Sequence, residues 1–314
     1  MLYPLLFQPI VKPKIWGKEI WSLSGYGEDQ SVVCNGFLEG NTLSEVLEVY
    51  MDELVGGRVY DRYGLHFPLL FKIIDAQDDL SIQVHPNDEQ AAVMARESEE
   101  DTLAFGKTEM WVVTQAADGA SIVLGFNRST NAAEVAASLQ SNTIMDLLQV
   151  VPVKKGDVAL IEAGTVHALR KGTQVAEIQQ TSDTTYRLYD YNRLGVDGKL
   201  RPLHVAEALH VLQYNRMAEP LVTTKGQQSV ERLVNDPHFV TNRLHINQTL
   251  QRDYAPYDSF VVYMCLEGSV TLEYEDGQQT LSAGQTCLIP ACLPDIALIP
   301  VNGEAVLLET RAGE

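Results

Sequence analysis

The sequence predicts a mainly β protein built as two related jelly-roll β-barrels, with helical insertions in and after the first. Three observations carry this. Short runs rich in Val, Ile, Leu and Tyr recur between Gly, Asn and Asp, which is strand and turn chemistry. The helical segments interrupt or follow those runs and do not alternate with them, which disfavours a doubly wound parallel sheet. One spacing also occurs twice. Gly156 is followed by Glu162-Ala163-Gly164 and then His167, and Gly284 by Pro290-Ala291-Cys292 and then Asp295, each position offset by 128 residues (295 − 167). The first copy ends in a histidine and the second does not, so one barrel carries a site that the other lacks.

The elements follow in chain order. The N-terminal Met1-Leu2-Tyr3-Pro4-Leu5-Leu6-Phe7 is apolar, but no basic segment precedes it, prolines interrupt it and no small-residue cleavage site follows. No run approaches the ~18 apolar residues of a membrane span; a cytoplasmic protein is expected. Strands are predicted over 67–74 and 80–84. Asn87-Asp88-Glu89-Gln90 then forms a capping box that opens a helix, within an insertion of about 87–105. Strands follow over 110–114 and 121–124. A second insertion, about 129–150, holds a helix from Asn131 and another over 143–148. Strands over 158–162 and 174–179 precede a helix at 202–212, with Leu203, Ala206, Leu209 and Gln213 at helical spacing, in an insertion of about 202–214. The pattern breaks at Glu219-Pro220 and Lys225-Gly226-Gln227-Gln228, dividing a catalytic domain, 1–226, from a C-terminal domain, 227–314. The latter opens with strands over 260–266 and 269–274, and Glu267-Gly268 and Asp276-Gly277 are hairpin-type turn signals.

Composition narrows the function. The 314 residues exceed what one core usually fills. Lys plus Arg is 23 and Asp plus Glu 42, a net charge of −19, which argues against non-specific binding to nucleic acid or anionic membranes. An anionic small ligand would need a local cluster of Lys and Arg. Cys34, Cys265, Cys287 and Cys292 form no C-x-x-C pair and read as buried, reduced thiols.

Three constellations carry chemistry. In Leu80-Ser81-Ile82-Gln83-Val84-His85 the alternation of a strand puts Ser81, Gln83 and His85 on one face and Leu80, Ile82 and Val84 on the other, the apolar face being expected in the core between the sheets. Lys107, Glu109 and Trp111 share a strand face in the same way. His167 follows the turn at Gly164. Taken singly, each has a plain structural explanation: a solvated face, an exposed ion pair, a turn histidine. Together, His85, Glu109 and His167, with Gln83 beside them, are N and O ligands suited to a divalent metal, with a coordination position left for substrate. His204 and His210 fall on the 202–212 helix and read as packing or surface residues.

The Gly156…Gly164…His167 spacing resembles that of cupins. The stretches 67–76, 80–86, Lys107-Thr108-Glu109-Met110-Trp111, 164–168 and 177–193 resemble the short bacterial form of the type I mannose-6-phosphate isomerases, and Asp183-Thr184-Thr185-Tyr186-Arg187-Leu188-Tyr189-Asp190-Tyr191-Asn192-Arg193 is the most specific of them. The likeness is dense from Trp16 to Leu212; the C-terminal domain is similar only to a degenerate cupin without ligands. The resemblance implies one Zn²⁺ per chain on Gln83, His85, Glu109 and His167, and interconversion of mannose 6-phosphate and fructose 6-phosphate through an enediol. It implies an essential arginine at Arg187 and phosphate contacts at Ser81 and Lys107. Glu177 matches a proposed acid/base, with Lys107 and a zinc-bound water as rivals; Asp183 and Trp16 would border the sugar. The implied partner is a small sugar phosphate, with neither nucleic acid nor membrane. Two other classes share the ligand pattern: non-haem Fe(II) oxygenases and non-catalytic sugar-binding cupins.

Overall fold

The computed structural model describes residues 2–97, 104–195, 197–215 and 229–314. Two compact units emerge, one of Met1–Ile10, Trp21–Phe71 and Thr224–Glu314, the other of Val11–Ile20 and Lys72–Thr223. This grouping differs from a single cut, and the expected boundary at 226/227 lies outside the described residues. The N-terminal segment shows why the sequence reading missed it. Its apolar run contains the strand Leu5–Gln8, which pairs antiparallel with Thr286–Ile289, Leu5 opposite Leu288, and with Val32–Val33. A seven-residue apolar run carries no mark of which distant strand it will pair.

Two sheets stack, drawn largely from Val11–Ile20 and Lys72–Thr223. One has the order Leu148–Pro152, Ser121–Phe126, His167–Leu169, Ile82–Val84, Tyr186–Tyr189. The other runs Val158–Ile161, Glu109–Ala116, Thr173–Gln180, Leu69–Ala76, Gly17–Leu23, Ile10–Lys14. Trp16, Ile74, Trp111, Val113, Ile122, Leu124, Ile161, Leu169 and Val175 fill the space between them. The expected strands are all present, their ends displaced by a few residues. The helices are Asp88–Glu97, Ala132–Gln140 and Val205–Val211; residues 98–103 of the first insertion lie outside the described ones. The segment 143–148 is a 3-10 turn, Ile144–Leu147, that runs straight into the strand Leu148–Pro152. Leu203, placed on the buried helix face by spacing, is 48% exposed, because the helix starts only at Val205 and buries Ala208 and Val211.

One expectation is inverted. Ile82 and Val84 do not enter the core between the sheets; they pack with Val123, Phe126, Ala168 and Leu188 against Val135, Ile144, Leu147, Ala208 and Val211. The helices cover the outer face of the five-stranded sheet and supply its apolar partners. That frees the polar face, Ser81, Gln83 and His85, to point to the interior of the sandwich, where a strand pattern alone would place hydrophobic residues.

The other unit repeats the plan. A seven-stranded sheet, in the order Val230–Asn235, Phe239–Ile246, Ala305–Ala312, Val261–Glu267, Thr286–Ile289, Leu5–Gln8, Val32–Val33, accompanies a four-stranded one, Leu250–Asp253, Asp295–Pro300, Ser269–Tyr274, Gly277–Ser282. Leu244, Ile246, Val261, Tyr263, Leu272, Leu281, Ile289, Ile296 and Leu298 form its core. The repeated spacing has one structural meaning in both units: Gly156 and Gly284 adopt φ of +94° and +87°, and His167 and Asp295 each open the strand after the next turn. Asp276-Gly277 closes a hairpin as expected, Tyr274 opposite Gly277. Glu267-Gly268 does not: the strands it joins belong to different sheets, so it is a corner. The sequence reading also passed over the helices Leu43–Val55 and Gly57–Tyr63, although Thr42 and Glu45 form a full capping box. Cys265 and Cys287 are buried free thiols, whereas Cys292 is exposed.

Candidate active site

The two sheets bring the ligand candidates together by register. On the five-stranded sheet, His167 lies opposite Gln83, and Gln83 opposite Arg187. On the facing sheet, Glu109 lies opposite Gln179, and Trp111 opposite Glu177. His85, Glu109 and His167 are each 1% exposed or less, and one donor atom from each falls within 4.8 Å of the others. His167 Nε2 is 3.2 Å from Glu109 Oε1, and His85 Nε2 is 3.5 Å from Oε2.

The donor set fits a metal ion. A carbonyl oxygen only accepts, so the 2.8 Å contacts of His85 Nδ1 with the Thr184 carbonyl and of His167 Nδ1 with the Thr165 carbonyl put the proton on Nδ1 in both rings. Each Nε2 then presents a lone pair, the second-shell arrangement of metal-binding histidines. Neither buried Glu109 oxygen completes a well-aligned hydrogen bond, so beside the Lys107 ammonium this carboxylate keeps acceptor capacity that an ion would use. Gln83 belongs to the same cluster: its side-chain amide nitrogen is 3.3 Å from His167 Nε2, and a half-turn of the amide would present its oxygen instead. Lys107 Nζ lies 2.9 Å from Glu109 Oε2 and 3.1 Å from His85 Nε2. Burial by itself would raise the Glu109 carboxyl, but the Lys107 ammonium foremost holds it well below the usual carboxylate range. Burial, then the Lys107 ammonium, push His85 well down, so its ring is neutral.

Gln83 and Lys107 form part of the wall of a 240 Å³ cavity, which Trp16, Ser81, Glu177, Asp183 and Arg187 also line. Every expected site residue outside the buried triad therefore meets one space. Arg187 donates through Nε to Ser81 Oγ at 3.3 Å and through Nη1 to the Pro202 carbonyl at 2.8 Å. Among the described residues no carboxylate pairs with it. Glu177 is 2% exposed, accepts a 2.7 Å hydrogen bond from Trp111 Nε1, and has Lys72 Nζ 3.5 Å away. Its carboxyl is raised by burial and then by Glu109.

A family model for the phosphomannose isomerase type I catalytic domain matches residues 6–123. A mannose-6-phosphate isomerase of Streptococcus mutans is 33% identical across 310 residues, covering 92% of this chain and 93% of its own. The chain belongs to the type I phosphomannose isomerases. The mannose-6-phosphate isomerase ManA of Bacillus subtilis is 40% identical over 69% of this chain and 70% of its own. The crystal structure of a mannose 6-phosphate isomerase from Bacillus subtilis superimposes with a TM-score of 0.86 at 30% identity, covering 98% of this chain and 99% of that one.

For a type I phosphomannose isomerase, the sequence reading left out cavity residues that the fold adds: Lys14, Glu19, Lys72, Thr185 and Arg201. Lys72 had a visible signal, a lysine in the middle of the apolar run Leu69–Ala76, where it is 2% exposed. Arg201 had none, since it precedes a helix as one charge among several. Lys107 sits among the ligand candidates, while Ser81 sits on Arg187, so the two expected phosphate contacts mark different parts of the cavity wall. His204 is also more than a surface residue: its Nδ1 accepts the Arg187 backbone N–H at 3.2 Å.

Proposed function

We propose that this chain interconverts mannose 6-phosphate and fructose 6-phosphate, with one Zn²⁺ held by His85, Glu109, His167 and Gln83, by proton transfer between C1 and C2 through an enediol. The observation that carries this is the buried triad, with two imidazole nitrogens and a carboxylate oxygen within 4.8 Å of one another, beside a cavity whose wall is rich in cations although the chain is acidic. When bound, the ion supplies Lewis-acid polarisation of the substrate's oxygens, worth several kcal/mol.

The chain's own residues supply the rest. The proton leaving C2 is delivered to C1, while the hydroxyl proton on O2 is exchanged for one on O1, so nothing enters or leaves overall. Glu177 is the group we assign to carry the carbon-bound proton, because it lines the cavity and a carboxyl raised by burial holds a proton more readily than an ordinary one. Lys72 and Trp111 hold its carboxylate in place. Lys107 keeps its ammonium charged: burial would lower it, but Glu109 and Glu177 outweigh that. As an ammonium it is placed to donate to a substrate oxygen. Arg187 places a permanent charge beside the oxygen that becomes negative. Trp16 covers an apolar sugar face, Asp183 borders the sugar, and Ser81 contributes a hydroxyl at the phosphate.

The test is a coupled isomerase assay with metal analysis. Chelation should abolish turnover of mannose 6-phosphate, and stoichiometric Zn²⁺ should restore it. Full activity in metal-free protein would refute the metal's part, and absence of isomerisation in zinc-loaded protein would refute the substrate assignment.

A further inference from the structure

Deepening that reading, we propose that Arg201 is a phosphate-binding residue of the cavity and that buried Asp190 is the positioning residue that sets it there. Asp190 is 4% exposed and does not line the cavity, whereas Arg201 does. Asp190 Oδ2 accepts from Arg201 Nε at 2.6 Å; Oδ1 accepts from Arg201 Nη2 at 2.6 Å and from Arg193 Nη2 at 2.6 Å. The bidentate pair fixes the plane of the Arg201 guanidinium by one edge. Its Nη1 amino group has no hydrogen-bond partner among the described residues, so that end is free to donate into the cavity.

The charge count supports an anion here. Lys14, Lys72 and Lys107 pair with Glu19, Glu177 and Glu109. Arg187 has only neutral partners, and one carboxylate, Asp190, is shared by Arg193 and Arg201. Arg193 also has Asp78 Oδ2 3.7 Å from its Nη1, so Arg187, Arg193 and Arg201 face two carboxylates, Asp190 and Asp78, and the cluster keeps a net charge of 3 − 2 = +1. Arg201 and Arg193 both lower the Arg187 guanidinium, after burial, which places their charges in one field. A phosphate monoester carries about −1.5 to −2 at neutral pH, and a cluster with a cationic excess attracts it. The order along the wall agrees: Gln83 at the ligand cluster, Arg187 opposite it in register, then Ser81 on Arg187, and Arg201 next to the Pro202 carbonyl that Arg187 holds. A phosphate bound by Ser81 and Arg201 would lie on the Arg187 side of the cavity.

The backbone is built to hold this arrangement. Tyr191 and Asn192 are both left-handed, φ +56° and +54°, a costly conformation for side chains with a Cβ. That turn brings Arg193 onto Asp190, onto the Asp79 carbonyl and over the Tyr191 ring, 5.3 Å from its centroid. Leu194 and Leu200 then bridge, so the chain returns to Asp190 at Arg201. Both ends of this excursion are tied to one carboxylate.

The experiment is calorimetric titration of inorganic phosphate into purified protein, with steady-state kinetics alongside. Arg201→Ala should weaken phosphate binding by about 10- to 100-fold, as loss of a charge-assisted hydrogen bond does, and should raise KM for mannose 6-phosphate more than it lowers kcat. Asp190→Asn should weaken phosphate binding in the same direction by a smaller factor, since Arg201 is retained but released. If Arg201→Ala fails to fold, Arg201→Gln is read by the same titration. Phosphate affinity equal to wild type in the folded variant would overturn the proposal, because an arginine that only ties the excursion together would lower the melting temperature and leave phosphate binding alone. The titration needs no turnover, so a failure of the isomerase assignment and a failure of this site are told apart.

Discussion

Glu177 illustrates how a single side chain acquires chemistry from its surroundings. In sequence it is one of 42 acidic residues, with an obvious partner in Arg187. In the fold it is buried against Trp111 and Lys72, and burial, with Glu109 nearby, raises its carboxyl above the ordinary value of 4.5. The sign of the consequence is fixed. A raised carboxyl takes up its proton at a higher pH than usual, so a base with this pKa loses activity as pH falls through that raised value. The kcat profile should therefore bend down on the acid side above pH 4.5, and Glu177→Gln should lower kcat by about 10²- to 10⁴-fold, the contribution of general acid–base catalysis. Near-normal kcat in that variant would remove Glu177 from proton transfer. The residue scale also shows what spacing can and cannot reveal. His85, Glu109 and His167 stand out because metal-ligating residue types on strand faces are few. Lys72 is marked only by standing inside an apolar strand, and Arg201 is not marked at all, being one charge among several before a helix.

At the scale of elements, the turn before His167 determines where the second imidazole stands. Gly164 has φ +85°, and a Cβ there would meet Gln213 Cγ at 2.7 Å and the Val211 carbonyl at 3.0 Å. Its N–H donates to the His85 carbonyl, and its carbonyl accepts from Gln213 N–H, so the one turn is tied to both histidine segments. Gly164→Ala should cost about 1–3 kcal/mol and lower zinc stoichiometry, measured by thermal denaturation and metal analysis. An unchanged melting temperature with full metal content would show that the turn tolerates a side chain. Strands were legible at this scale because alternation and turn residues are local signals. The face assignment of Ile82 and Val84 was not, because it depends on helices that arrive about 50 to 120 residues later in the chain and cover the sheet's outer side, a tertiary effect that local patterns do not contain.

For the whole molecule, the buried ligand cluster links metal content to stability. Glu109 is fully buried beside Lys107, and neither of its oxygens has a well-aligned hydrogen bond, so a cation that binds only the folded state adds stability by mass action, about 4 kcal/mol at a thousandfold excess over its dissociation constant. The melting temperature should rise with added Zn²⁺ and fall with chelator. Indifference to both would show that the triad is an internal ion pair only. No helix among the described residues is long and apolar enough to cross a membrane.

The sequence by itself determined the mainly β class, the repeated strand–turn–strand spacing, the family and the ligand candidates, because residue type, period and turn chemistry act over short distances and are written locally. Only the tertiary structure decided that the polar face of the strand at Gln83 looks inward, that the N-terminal strand joins the C-terminal unit, and that Asp190 draws Arg193 and Arg201 together. Those outcomes depend on pairing register and on which surfaces cover one another, quantities set by the packing of distant segments and not by any one of them.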